Sequence, residues 1–187
     1  MNIYDFDNTI YDGNCSVDFF LFCIKKDPKL IKYAPKHFWD LMLYKLHFFD
    51  AKIEKGKFTT IDFLRDIKDV DSLVEEFWIR YDKKINFWYP LIHTKNDIII
   101  SASPEFLLAP ICEKLGVKHY IGSLVDKKTG VLDGRLCYQE EKVRRFNEKY
   151  SNYEVENVYI DSYEKNSFSN KAKNVYLVEK TKLKKIK

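Results

Sequence analysis

Two aspartates separated by one residue, Asp5 and Asp7, are the side chains of this sequence best placed for chemistry. They follow residues 2–4, an apolar segment that we interpret as a short buried strand, and Phe6 lies between them. Alternate side chains of a strand share a face, so both carboxylates are expected to project together from its carboxyl end. Two such carboxylates repel each other and lose hydration unless a cation or a proton lies between them. The alternative is an Asx-rich turn, in which residues 7–9 bond only to their own backbone.

The composition limits the class of protein. A chain of 187 residues is long enough for one hydrophobic core, or for one core and a small insertion. The net charge of +4 is too small to demand nucleic acid as a partner. The four cysteines form no C-x-x-C pair, which indicates reduced thiols rather than disulfides or a zinc site. With no signal-peptide pattern and no apolar run long enough to span a bilayer, we expect a soluble, cytoplasmic protein.

The part of the chain that follows the first strand has the spacing of helices. Apolar side chains recur every three and four residues in four segments, 17–26, 30–49, 60–68 and 71–87. Pro35 must lie in the first turn of a helix or divide the second segment. Asp71 or Ser72 is expected to cap the last one. No strand is predicted between the first strand and about Pro90.

From Asn96 onward, strands alternate with helices. Buried or paired strands are predicted at 97–101, 119–125, 130–136, 157–160 and 174–179, the second and third joined by a turn. Helices are predicted at 104–114 and 140–150, and a lysine-rich tail covers 180–187. This alternation predicts an α/β fold: a Rossmann-like, doubly wound parallel sheet, with an all-helical block inserted after its first strand.

Three of the predicted strands end in polar residues: Asp5, Ser101 and Asp161. Open α/β sheets bind ligands outside the carboxyl ends of their strands. A polar residue at such a position can also serve only to cap the next helix, as Ser103 or Ser162 could. Three coincident strand ends, one of which carries paired acids, favour a shared site.

Four segments in this order resemble the motifs of a known family. They are Asp5 to Thr9 (D-x-D-x-T), 99–105 with its strand ending in serine, the stretch from Gly130 through Gly134 to Lys142, and 160–162 with Asp161. The sequence resembles the haloacid dehalogenase-like superfamily, in the subgroup of phosphoserine phosphatase (subfamily IB). That resemblance implies a core of residues 1–13 and 91–187 and a helical cap domain of residues 14–90.

The resemblance implies a Mg²⁺-dependent phosphomonoester hydrolase that works through an aspartyl-phosphate. Asp5 is then the nucleophile, Asp7 the general acid and base, and Lys142 the cation that offsets their charge. The residues assigned to substrate binding are Thr9, Asn14, Ser101 and Ala102. The metal ligands assigned are Asp5, Asp7 and Asp161. By residue type alone, Lys142 would be read as part of a solvated helix face; its position in the motif favours the site.

The sequence departs from the family pattern at two positions. Lys165 stands where the fourth motif usually carries a second acid, and an ammonium there is repelled by Mg²⁺ unless it points away. Asn14 stands where phosphoserine phosphatases carry the glutamate that binds the substrate amine. We therefore expect a small organic phosphate other than phosphoserine as substrate.

Two other functions stay open. Lysines and aromatic side chains are interspersed in the helical block, and further lysines lie in the tail, which could form a surface for anionic lipid. These residues are Lys25, Lys26, Lys29, Lys32, Lys36, Phe38, Trp39, Tyr44, Lys45, Phe48, Phe49, Lys55, Lys57, Phe58, Lys180, Lys182, Lys184, Lys185 and Lys187. A peripheral lipid-phosphate phosphatase is thus one alternative. A family member that binds phosphate with reduced turnover is the other, because of Lys165.

Overall fold

The structure is a computed structural model that describes residues 1–45, 61–163 and 168–187, and only the backbone of residues 40–45. Within these residues, six strands form one sheet. The strands are Ile3–Tyr4 (β1), Ile98–Pro104 (β2), His119–Ser123 (β3), Asn157–Ile160 (β4), Asn174–Glu179 (β5) and Lys182–Lys185 (β6). Their order is β3-β2-β1-β4-β5-β6. All neighbours are parallel except β5 and β6. The α/β fold predicted from the alternation is confirmed.

The two residues of β1 lie in the middle of the sheet because both faces of β1 are covered. Tyr4 and Ile99 belong to one hydrophobic cluster, and Ile3, Ile98 and Ile100 belong to another. Successive side chains of a strand point to opposite faces, so each cluster covers one face of the sheet. Continuous apolar strands of this kind are typical of parallel sheets buried on both sides.

The helices follow the predicted pattern closely. They are Cys15–Lys26 (α1), Ala34–Lys45 (α2), Val70–Tyr81 (α3), Tyr89–Ile92 (α4), Glu105–Lys114 (α5) and Glu140–Tyr150 (α6). Shorter 3-10 helices cover Pro28–Tyr33, Asp62–Asp66, Asp82–Lys84 and Phe168–Asn170. Pro35 lies in the first turn of α2, as expected. The predicted extension of that helix from 46 to 49 falls outside the described residues.

Three predictions about the helical block were wrong in detail. The cap of α3 is Asp69, whose side chain accepts the Ser72 N–H at 3.0 Å, and not Asp71 or Ser72. The segment 60–68 holds a 3-10 helix instead of an α-helix. The helix predicted to reach Phe87 ends at Tyr81, because Ile85 pairs with Tyr11 in an isolated antiparallel bridge. Local spacing could not reveal that pairing between distant segments.

Two further corrections concern the second half of the chain. The strand predicted at 130–136 is reduced to one bridge, between Val125 and Leu132, because Asp126 folds the chain into a tight turn. Its carboxylate accepts the N–H groups of Lys128 and Thr129 at 2.7 and 3.1 Å. The lysine-rich tail, predicted without structure, contains β6, which pairs with β5. Lysines are common on such exposed edge strands, where their charge discourages further pairing.

The turn that begins at Asp126 packs against the helical block. Gly130 has a φ of +70°, and a Cβ built on it would lie 2.1 Å from the carbonyl oxygen of Ile61. Lys127 Nζ is 2.6 Å from Asp71 Oδ1, on α3. Both contacts join this turn to the block inserted after β1, so they hold the block beside the end of the sheet where β3 ends.

We predict that Gly130→Ala destabilises the protein. A left-handed φ costs an alanine about 1–2 kcal/mol, and relieving the overlap with Ile61 costs about 1–3 kcal/mol more. Gly134→Ala is the matched control, since Gly134 has a φ of +87° but no atom within 4 Å of the point where a Cβ would lie. Thermal unfolding should show the larger loss for Gly130→Ala, at roughly 2–4 °C per kcal/mol. Equal losses in both variants would contradict the close approach to Ile61.

Among the described residues, no helix is long and apolar enough to cross a membrane.

The four cysteines are all free thiols and all buried. Burial raises the pKa of Cys23 and Cys112 to about 12, which keeps both thiols protonated and unreactive.

Candidate active site

The polar ends of three neighbouring strands meet beside β1, as the sequence predicted. Asp5 directly follows β1 and is held to its neighbour by a bond from its N–H to the carbonyl oxygen of Tyr159, at 2.9 Å. Ser101 lies in β2, and Asp161 directly follows β4. The chain continues from β1 to β2 and β3 on one side and then crosses to β4 on the other side, so the strand order reverses beside β1 and a crevice opens there. Ligands of doubly wound sheets bind in such crevices.

A lysine from a distant helix reaches the first of the two acids. Lys142 Nζ donates to Asp5 Oδ2 at 2.6 Å, although 137 residues separate them. The other carboxylate oxygen of Asp5 accepts the N–H of Phe6 at 2.8 Å. The side chains of Asp5 and Lys142 are 21% and 15% exposed, so the pair is partly shielded from water yet open to a ligand.

The two arginines of α6 have different partners. Arg144 pairs with Glu141 and Glu148 on its own helix. Arg145 donates to the carbonyl oxygen of Gly122 and is 3.4 Å from Glu105. The contact of Lys142 with Asp5 therefore argues against the solvated helix face that its residue type suggested.

Asp7 is held from two sides by protein donors. Its Oδ1 accepts the N–H of Cys15 at 2.7 Å, and its Oδ2 accepts the hydroxyls of Ser103 at 2.6 Å and Ser101 at 3.2 Å. Burial raises the pKa of Asp7, and the nearby charge of Asp5 adds to the effect, while the bonds from Ser103 and Cys15 oppose it. A carboxyl group whose pKa is raised in this way is suited to give and take protons near neutral pH.

Asp161 faces the same cluster of charge. Burial raises its pKa, and the negative charge of Asp5 raises it further, whereas Lys142 lowers it. Asn8 Nδ2 donates to its Oδ2 at 3.4 Å. Asn8 has a φ of +57°, a left-handed conformation that asparagine tolerates better than most residues. Because burial is the main cause of the raised pKa, a cation bound beside Asp161 would favour its ionised form.

The oxygen atoms present suit Mg²⁺. Within the described part of the chain, no three side chains of His, Cys, Asp or Glu converge as a metal cluster. Mg²⁺ does not need three, because it is usually bound by one or two carboxylates and keeps several waters. Asp5 and Asp161 bring two carboxylates to the ends of β1 and β4, which is enough for such a site. Lys165, which stands at the second acidic position, lies outside the described residues.

The remaining predicted residues surround this cluster. Thr9 is fully buried behind the loop, and its carbonyl oxygen accepts the side-chain N–H of Asn86 at 2.7 Å. Asn14 caps α1, since its side chain accepts the N–H of Val17 at 3.0 Å. The carbonyl oxygen of Ala102 accepts the hydroxyl of Ser123 at 2.6 Å. Thus Thr9 and Asn14 are bonded into the scaffold, and their predicted contacts with substrate stay predictions.

Sequence reasoning gave no site role to Ser103, Cys15 or Asn8. A signal for Ser103 was present, because residues two apart in a strand share a face and Ser101 was already a candidate. The contributions of Cys15 and Asn8 come from a main-chain N–H and a turn conformation, which residue types do not reveal. Both become visible only in three dimensions.

The polar strand ends and the aspartate–lysine pair thus form one candidate site at the carboxyl edge of a mainly parallel sheet. The family model of haloacid dehalogenase-like hydrolases matches residues 3–162. The chain belongs to the haloacid dehalogenase-like hydrolase family. No curated protein matches the sequence.

Two solved structures show the same fold. One, a protein of unknown function from Bordetella pertussis Tohama I, is similar with a TM-score of 0.66 and 16% identity over 86% of this chain and 81% of that one. The other, a phosphoserine phosphohydrolase-like protein from Francisella tularensis subsp. tularensis SCHU S4, has a TM-score of 0.57 and 15% identity over 94% and 86%. At such identities the likeness concerns the fold.

Proposed function

We propose that this protein is a Mg²⁺-dependent phosphomonoester hydrolase that works through an aspartyl-phosphate on Asp5. The observation that carries the proposal is the 2.6 Å ion pair between Asp5 and Lys142 beside the buried acid Asp7. A carboxylate nucleophile, a cation for the phosphoryl charge and a separate proton carrier are the parts that this reaction requires.

The reaction divides into two displacements. A carboxylate oxygen of Asp5 attacks phosphorus in line, the P–O bond to the leaving group breaks, and Asp7 gives its proton to the departing oxygen. Asp7, now a carboxylate, then takes a proton from water, whose oxygen attacks the phosphorus of the aspartyl-phosphate. Inorganic phosphate leaves, and both Asp5 and Asp7 return to their starting states. Lys142 and the hydroxyl of Ser101 bind the charge on the phosphoryl oxygens throughout.

Mg²⁺ would be held by the carboxylates of Asp5 and Asp161 and by the main-chain carbonyl of Asp7. When bound, it supplies positive charge that offsets the charge of the nucleophile and of the phosphoryl group. Residues 14–90 would form the cap that closes over this site and contacts the organic part of the substrate.

We predict that Asp161→Asn stabilises the metal-free protein. Because the pKa of Asp161 is raised by folding, the folded state binds more protons than the unfolded state. The ionised group thus costs stability, and the cost grows as the pH rises through the folded pKa. In EDTA at pH 7 the variant should melt higher, by roughly 2–4 °C per kcal/mol relieved, and the gain should vanish below about pH 4.

The same variant tests the metal site without relying on turnover. Added Mg²⁺ should raise the melting temperature of the wild type, since a ligand that binds only the folded state stabilises it. It should leave Asp161→Asn nearly unchanged. Asp12→Asn, which removes an exposed carboxylate of the same loop, is the control and should respond to Mg²⁺ as the wild type does. A full Mg²⁺ response in Asp161→Asn would exclude Asp161 as a ligand.

A small organic phosphate other than phosphoserine is the proposed substrate. Asn14 is a neutral amide whose oxygen is already bonded to the N–H of Val17, so it cannot supply the negative charge that binds an ammonium group. Assays of phosphate release over a panel of phosphometabolites, with Asp5→Asn as the blank, test the proposal. Absence of Asp5-dependent release across the whole panel would contradict it.

A lipid phosphate is the second candidate, because three apolar side chains of the helical block are exposed. Ile31, Phe38 and Trp39 are 63%, 70% and 56% exposed. The neighbouring lysines Lys32 and Lys36 pair with acids of the same block at 2.6 and 3.1 Å, which reduces their attraction for anionic lipid. Sedimentation with anionic vesicles at low salt separates the candidates: failure to bind removes the lipid substrate, and binding that Trp39→Ser abolishes supports it.

A further inference from the structure

The carboxylate of Asp7 is held by a serine for which the proposed reaction has no role. Ser103 Oγ donates to Asp7 Oδ2 at 2.6 Å, the distance typical of a strong bond between a hydroxyl and a carboxylate, and Ser103 is only 4% exposed. We propose that Ser103 is a positioning residue that orients the carboxyl group of Asp7 for proton transfer to the leaving group. This inference rests on the proposed function and assigns one further residue to it.

The direction of the hydrogen bonds around Ser103 follows from counting protons. When Asp7 is ionised, as it is after the first displacement, it can only accept, so the single hydroxyl proton of Ser103 then goes to Asp7. The neighbours Ser16 Oγ, at 2.9 Å, and Cys15 Sγ, at 3.3 Å, must then donate to Ser103. A chain of donors therefore runs from the first turn of α1 through Ser103 to Asp7, and each bond in such a chain polarises the next.

Ser101 cannot replace Ser103 during the reaction. Its hydroxyl lies 3.2 Å from Asp7 Oδ2, and in the proposed mechanism the same proton is donated to a phosphoryl oxygen. One proton cannot serve both acceptors, so the bond from Ser101 to Asp7 is weakened when substrate binds. Ser103 is buried away from the substrate, and its bond to Asp7 Oδ2 persists.

This arrangement fixes the rotation of the Asp7 carboxyl group. Each carboxylate oxygen accepts about two hydrogen bonds. Oδ2 is engaged by the hydroxyls of Ser103 and Ser101, whereas Oδ1 accepts, among the described residues, the N–H of Cys15. The buried bonds from Ser103 and Cys15 therefore hold the carboxyl group from both sides, and Ser103 keeps it turned toward the leaving group.

The test compares two esters whose leaving groups need a proton to different degrees. Nitrophenolate leaves 4-nitrophenyl phosphate with little help, whereas the more basic phenolate of phenyl phosphate needs the proton of Asp7. We expect Ser103→Ala to lower kcat/KM at least about tenfold more for phenyl phosphate than for 4-nitrophenyl phosphate. Ser103→Thr keeps the hydroxyl and should restore the wild-type ratio between the two esters.

Ser123→Ala is the matched control. It also deletes a buried hydroxyl at a strand end, but that hydroxyl bonds the carbonyl oxygen of Ala102 and not Asp7. It should change both esters by the same factor. Equal losses for both esters in Ser103→Ala would mean that Ser103 supports the fold alone, and would overturn the inference.

Thermal unfolding tests the contact independently of turnover. When Asp7 is present, Ser103→Ala should lower the melting temperature by several degrees, at roughly 2–4 °C per kcal/mol. When Asp7 is already replaced by alanine, the same change should lower it much less, because the two residues are coupled. Additive losses overturn the inference. A wild-type protein that releases phosphate from neither ester nor any compound of the phosphometabolite panel overturns the proposed function and the inference with it. Hydrolysis of both esters with unchanged selectivity in Ser103→Ala overturns the inference alone.

Discussion

Asp5→Asn is expected to abolish phosphatase activity, with a loss of about 10⁴-fold or more in kcat. An amide oxygen is a far weaker nucleophile than a carboxylate oxygen, so the aspartyl-phosphate cannot form. The substitution is nearly isosteric and removes one negative charge from the pair that Asp5 forms with Asp7. The folded structure should therefore survive. The measurement is the initial rate of 4-nitrophenyl phosphate hydrolysis in Mg²⁺.

The control for this variant is Asp12→Asn, an identical change of an exposed carboxylate in the same loop. Its rate should stay within about twofold of the wild type, as is usual for surface substitutions away from the site. Unchanged melting of Asp5→Asn by circular dichroism would confirm that the loss is chemical. Residual activity within tenfold of the wild type would exclude Asp5 as the nucleophile. The nucleophile of the wild-type enzyme would then be a group other than Asp5.

Lys142→Met is expected to lower kcat by about 10²–10³-fold, the loss typical of removing one preorganised charge from a phosphoryl or oxyanion site. Methionine keeps an unbranched apolar stem of similar length, so packing along α6 is preserved. What disappears is the ammonium 2.6 Å from Asp5 Oδ2. Without it, Asp5 carries an uncompensated charge next to the incoming phosphate, and the repulsion opposes attack.

Lys149→Met is the matched control for Lys142→Met, because Lys149 lies on the same helix and is exposed. It should hydrolyse 4-nitrophenyl phosphate at nearly the wild-type rate. Lys142→Arg keeps the positive charge but has a planar guanidinium, and we expect it to recover part of the rate. If Lys142→Met were as active as Lys149→Met, the ion pair would be structural.

The fold and the positions of the main site residues could be predicted because each has a recognisable local sequence pattern. The β-branched side chains of residues 98–101 indicate a buried strand. The polar residues Asp5, Ser101 and Asp161 indicate where parallel strands end. Once the strands are parallel, their carboxyl ends must meet at one edge. The bond from Lys142 to Asp5 places this lysine at the site that motif order suggested, and its catalytic role stays a prediction.

The remaining features depend on partners that are distant in the sequence. Asp69 was missed as the cap of α3 because Asp71 and Ser72, two and three residues further, are equally good capping types. β6 was missed because its lysines do not form the apolar pattern by which strands are predicted. It is an edge strand that becomes ordered only by pairing with β5. Ser103 was considered only as a possible helix cap, since no local pattern shows that its hydroxyl faces Asp7.

The central position of β1 has a consequence for how the enzyme folds. Asn2 bonds Asp97 and Asn157, which lie 95 and 155 residues further along the chain. Pairings of such long range form slowly, because a large loop must close before any contact compensates for the lost chain entropy. The segment that carries Asp5 and Asp7 therefore becomes ordered only when widely separated parts of the polypeptide have met. Catalytic competence should appear late and all at once during refolding, in step with completion of the sheet.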